Sequence, residues 1–218
     1  MKERPILFSG EMVRAILQGR KTQTRRLVMP MPAYPDAFKG VRMEFNSSRC
    51  GVDIWNSSGT LPAHFWKCPF GKPGDRLWVR ETWGKGSENN VCHISDEEIF
   101  YRATDPGWDD NDTGFKWRPS IHMPRWASRI TLEVVSVKVE RLQDISGEDA
   151  ICEGVPCSRW SEDDWVDSDG FRTPIVKRHA QAIEEFAELW DSIYGKKPGC
   201  SWADNPFVWA GEFKVVQP

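Results

Sequence analysis

The stretch SRITLEVVSVKVERL, residues 128–142, decides how the chain is built. Ile130, Leu132 and Val134 alternate with other residues, and after one slip the pattern resumes through Val135, Val137 and Val139. A period of two marks a strand with one face on a core and one in water. A single slip in that period marks a bulge. The stretch therefore predicts one long or bent strand of an antiparallel sheet.

Reading outward, Asp75 to Trp83 is a second strand, launched by Pro73-Gly74, with Leu77, Val79 and Glu81 on one face and Trp78, Arg80 and Thr82 on the other. Ile99 to Tyr101 and Phe207 to Val216 read as further strands, as does the apolar run from Arg4 to Ser9. Met12, Val13, Ile16 and Leu17 have helical spacing, and Gly19 suits a left-handed cap that delivers residues 19–26 as loop and strand. Ser146 can cap a short helix running to Glu153 and closed by Gly154. A longer helix spans 180–194, with Ile183, Phe186, Ala187, Trp190 and Ile193 on one face. Residues from about 30 to 72 are rich in Pro, Gly, Ser and Asn and read as a loop-rich insertion. Several strands, few helices and no βαβ rhythm predict an α+β protein. Its centre is a small β-barrel, mostly antiparallel and closed or half-closed, flanked by short helices within one domain over 1–218.

Composition narrows the function classes. Apolar residues are 39% and charged residues 28% of 218, as in ordinary globular proteins. No apolar run approaches the roughly 18 residues of a membrane span, and residues 1–21 lack a small-residue cleavage site, so neither a membrane nor a secretory role is expected. The six cysteines contain no C-x-x-C pair and read as reduced thiols of a cytoplasmic protein. A zinc site can be written from Cys50, His64, Cys68 and Cys92, but its spacing is not a compact ligand pattern. The expectation is no metal and no cofactor. Twelve Trp against three Tyr suit either a well-filled core or a base-stacking surface.

Charge is unevenly spread. Residues 1–80 carry 14 basic and 6 acidic side chains, whereas 81–218 carry 15 and 26. The base concentrates in GRKTQTRR (19–26), and the acid at 109–112 and 161–169. A local basic stripe on a mildly acidic chain fits a small anion or a short nucleic-acid stretch, and equally a solvated charged strand.

PILF (5–8) with the helix after it, GRKTQTRR, GKPGDRLWVRETW (71–83), KWRPSIHMPRWASRI (116–130) and RLQDISGEDAICEGV (141–155) resemble the ASCH domain, a relative of the PUA RNA-binding domain, in its long phage and prophage form. The resemblance implies a PUA-like barrel whose cleft binds RNA or a modified nucleobase or nucleoside. It also implies a choice of activities, hydrolysis of the exocyclic amide of N4-acetylcytidine or ribonuclease action; a different class of function is a non-catalytic phage accessory protein that uses the same cleft to bind a host protein. In the amidohydrolase members a Lys and a Thr three residues apart follow Gly-Arg, with a distant Glu. Lys21 and Thr24 match that pattern, and the helix ending Glu-Gly points to Glu153, with Glu148 and Asp149 as neighbours in the same helix.

The chemistry of these residues runs both ways. A Thr hydroxyl needs a base, and a Lys becomes one only when burial or cationic neighbours such as Arg20, Arg25 and Arg26 lower its pKa. Alternatively Lys21, Arg25 and Arg26 contact phosphates while Glu153 pairs with an Arg. Further candidate ligand contacts are Arg80, Glu81 and Trp83 at a strand end, and Ser120, His122, Arg125 and Arg129 in a polar-aromatic loop. Trp83 suits a stacking face or a core position; His122 suits an acid/base or a structural role.

Overall fold

The computed structural model describes residues 1–28, 42–46, 48–55, 62–85, 98–105, 107, 116–155 and 175–216. The acid-rich stretches 109–112 and 161–169 lie outside them, as do Cys92 and the His64 side chain.

Five strands form the main sheet: β1 (Glu3–Leu7), β2 (Gln23–Leu27), β6 (Arg76–Arg80), β9 (Thr131–Arg141) and β10 (Phe207–Val216). Their order is β1-β6-β9-β10-β2. The β1–β6 pair is parallel and the rest are antiparallel. The slip read at Val134–Val135 is present: the β9–β10 register jumps so that Ser136 faces Glu212 and Val134 faces Phe213, leaving Val135 unpaired and exposed. Because a bulge inverts the alternation, Leu132 and Val134 before it and Val137 and Val139 after it all reach one face.

That face is the inside of the curled sheet. It packs Ile6 of β1, Phe8, Leu77 and Val79 of β6, and Trp209 and Phe213 of β10 into the principal core, with Val13 and Ile16 of α1 (Gly10–Leu17). The outer face carries Leu27 and Val208 onto a second core. That core is built by Ala150 of α2 (Gly147–Cys152) and by Ala182, Phe186 and Trp190 of α3 (Ile175–Tyr194). The expected barrel is not closed: among the described residues no ladder joins β1 to β2. The two edges are bridged instead by the Arg26 guanidinium, which donates to the Leu7 carbonyl at 2.8 Å.

The stretch read as loop-rich contains a three-stranded antiparallel sheet, β3 (Arg42–Asn46), β4 (Gly51–Trp55) and β5 (Pro62–Lys67). Its Val52, with Cys50, Cys68 and Phe70, completes the principal core. Phe70 comes close enough to the main sheet that a Cβ on Gly211 would sit 2.7 Å from its ring, so β10 needs glycine there. A two-stranded ribbon, β7 (Trp83–Lys85) and β8 (Ile99–Tyr101), covers one end of the molecule with Met123 and Ala127.

Candidate functional site

Three local features bring Lys21 and Glu153 together from 132 residues apart. Gly19 turns the chain at φ +73°, and the Lys21 amide donates to Ala15 at the end of α1. The Ser146 hydroxyl accepts from the Asp149 amide and starts α2. Gly154 ends that helix at φ +82°, with Cβ-free space only 2.9 Å from the Lys21 Cβ. The Thr22 amide then donates to Cys152, tying the helix end to the strand entry.

The Lys21 Nζ donates to the Glu153 carbonyl at 2.7 Å and to Glu153 Oε2 at 2.8 Å. The other oxygen, Oε1, accepts from Arg25 at 3.1 Å. Arg25 also meets Glu140 at 2.8 Å and Asp149 at 3.3 Å, and Asp149 takes a further bond from Gln23 at 2.8 Å. Lys21, Thr24, Arg25 and Glu153 are all at most 4% exposed. Burial disfavours the Lys21 ammonium and holds its pKa below the usual lysine value despite Glu153, and the charges of Arg26 and Arg25 push the same way. The Asp149 carboxyl is pulled down: burial would raise it, but the bonds from Gln23 and Ser146 and the charges of Arg25 and Lys138 outweigh that.

Of the two acids of α2 and the one that caps it, Asp149 meets Arg25 and Gln23, Glu148 is exposed, and the cap Glu153 meets Lys21. Thr24 lies on the inner face of β2 with Arg26, opposite Gly211. The Lys21 amine addresses that side as well, 5.5 Å from the Phe8 ring that Arg26 overlies at 5.6 Å. Among the described residues no hydrogen bond joins the Thr24 hydroxyl to Lys21 or Glu153. Arg20 stands apart, exposed, with both its bonds going to Gln18. Half of the basic octet's positive charge is thus turned inward and neutralised rather than displayed.

The other sequence candidates separate. Trp83 is 1% exposed, packed with Met123 and Ala127 and edge-on to Trp126 at 5.6 Å. Of its two readings, stacking face and core, burial leaves the core one. Glu81 is buried and held by both arms of Arg129 at 2.9 and 3.0 Å, and Arg129 in turn lies 3.9 Å over Tyr101. Burial pushes the Glu81 carboxyl up, against the pull of Arg129. Arg125 pairs with Glu3 at the surface, Ser120 is half-buried and His122 is exposed. Cys50 and Cys68 adjoin, since the Cys68 amide donates to the Cys50 carbonyl, and burial pushes the Cys68 thiol up to about 12. Among the described residues no group of three or more His, Cys, Asp or Glu could hold a metal.

A cavity of about 510 Å³ opens where β1 and β2 fail to join. Arg26 and Arg80 line it, as sequence reading proposed for a ligand cleft, but none of residues 117–129 does. Lys67 and Lys197 also line it and were not singled out. Neither carries a local motif; only the curl of the sheet brings them near Arg26.

No protein-family model and no curated protein matches the chain. Among solved structures the chain is similar to a high-resolution crystal structure of an ASCH domain from Lactobacillus crispatus JV V101, at 12% identity and a TM-score of 0.35. That match covers 98% of this chain and 79% of the other.

Proposed function

We propose that the chain recognises a nucleobase, in RNA or as a free nucleoside, and hydrolyses an exocyclic amide on it with Lys21, Thr24 and Glu153. The observation that supports this reading is the enclosed Lys21–Glu153 contact, three residues along the chain from the buried Thr24, with the lysine pKa lowered by burial. The motifs that resemble ASCH domains supply the substrate class, an N4-acylated cytidine. In the proposed reaction the neutral Lys21 amine takes the Thr24 proton, and the Thr24 oxygen bonds to the acyl carbon. The C–N bond then breaks, and the leaving nitrogen takes the proton back from Lys21, which Glu153 has held in place. Water cleaves the acyl-threonine ester and releases the acid.

Binding without catalysis is the second reading. It is favoured by one observation: Lys21, Arg25 and Glu153 satisfy one another as a buried ion network. One experiment separates the two. The purified protein, incubated with N4-acetylcytidine and no added metal, should release acetate and cytidine. Thr24→Ala, Lys21→Ala and Glu153→Ala should each remove most of that activity, with non-additive effects. Lys21→Arg should also be inactive, since a guanidinium keeps its proton, while still folding and binding the nucleoside. Absence of acetate release by the unaltered protein ends the catalytic reading.

A further inference from the structure

The gap between the sheet edges is built for an anion as well as for a ring. Its floor is apolar and aromatic: Ile6, Leu77, Phe70 and Trp209 are all buried and line it. Four of its other lining residues are cationic, Arg26 of β2, Lys67 of β5, Arg80 of β6 and Lys197 beyond α3, and none is acidic. That absence is unusual for this chain. Arg4, Arg25, Arg125, Arg129, Lys138 and Lys214 each have a carboxylate within 4 Å. Among the described residues Arg26 and Arg80 instead donate to backbone carbonyls, of Leu7 and Arg25 and of Met123 and Ile121. Lys197 rests 5.5 Å from the Tyr194 ring. Four cations, three from strands and one from the turn beyond α3, with no compensating carboxylate among the described residues, raise the local concentration of anions. Guanidinium forks match phosphate oxygens in particular.

We infer that this cavity takes the phosphate of a nucleoside phosphate, with the base or sugar against the apolar floor. This rests on the nucleobase reading above and narrows its ligand from an uncharged nucleoside to a phosphorylated one. The volume lies within the roughly 300–1,000 Å³ of small-molecule sites and suits one nucleotide, free or at the end of a strand. Arg26 joins the two regions, because it lines the cavity while its guanidinium shares the Phe8 ring with the Lys21 amine.

The test is calorimetric titration of the whole chain with the four ribonucleosides and their 5′-monophosphates. The tightest monophosphate should bind at least tenfold better than its nucleoside, and added salt should weaken only the monophosphate. Lys67→Gln combined with Lys197→Gln changes two exposed side chains. It should cost the monophosphate about fivefold or more and leave the nucleoside unchanged. Equal affinity for nucleoside and monophosphate, no binding of either, or a double variant that discriminates like the parent overturns the inference. Acetate release from N4-acetylcytidine with no gain from phosphate would sink this inference and leave the catalytic proposal standing. Phosphate-dependent binding without hydrolysis would do the reverse. A 5′-phosphorylated tetraribonucleotide separates the two sources: binding equal to the monophosphate assigns a strand end, and binding tenfold weaker assigns a free nucleotide.

Discussion

Trp83 and Lys21 are both buried, and burial does opposite things to them. For the indole it is a gain, because ring area leaves water and the ring packs on Met123 and Ala127. Trp83→Ala should therefore lower unfolding free energy by about 3–5 kcal/mol in urea titration, while nucleoside affinity of the folded variant stays unchanged. A stable variant with lost affinity would return Trp83 to the binding site. For the amine, burial is a cost carried by the charged form. Its folded pKa lies below 10.5, so the unfolded chain binds more protons between the two values and this group's contribution to stability rises with pH there. In the proposed reaction the same shift would govern the rate. The fraction of free Lys21 amine grows until pH passes its folded pKa, so amide hydrolysis should rise with pH and level off below 10.5. A rate with no rising limb on the acid side of its plateau excludes Lys21 as the base.

Elements whose residues alternate or recur at helical spacing were readable before any coordinates: α1, β6, β9 with its bulge, β10 and the later part of α3. Helix α2 was readable from its ends, Ser146 and Gly154, since caps are local chemistry. Strands β3 to β5 were not readable. They are five or six residues long, Pro62 opens one of them, and their stability comes from lodging Val52 and Cys68 in the core. The meeting of Lys21 with Glu153 was legible only through the motifs, whereas the roles of Glu140 and Asp149 depend on which face of β9 and α2 turns toward Arg25. Gly154 shows how tightly that meeting is held. A Cβ there would sit 2.9 Å from both Ala15 and Lys21, on a backbone with positive φ. Gly154→Ala should cost about 1–2 kcal/mol for the backbone alone, and more from displacing the lysine stem. Urea unfolding beside initial rates checks this: hydrolysis should fall even where the variant remains folded.

At the scale of the molecule, part of the uneven charge along the sequence is paired by folding. Lys21 and Arg25 from the basic half are matched by Glu140, Asp149 and Glu153 from the acidic half. Composition shows the imbalance, but only topology shows which of these charges meet inside the fold. The sheet order has a further consequence. Strand β2 has β10 as its one hydrogen-bonded neighbour among the described residues, and β10 follows about 180 residues later. At roughly 5–20 residues per second, a ribosome needs on the order of 10–35 s to supply that neighbour. Throughout that interval Thr24 and Arg26 have no strand to lie against, and Lys21 waits nearly as long for Glu153. The nascent chain therefore carries a bare, positively charged edge until β10 is made. Lys21 and Thr24, two of the residues proposed for chemistry, are made long before the strand and the carboxylate that set them in place.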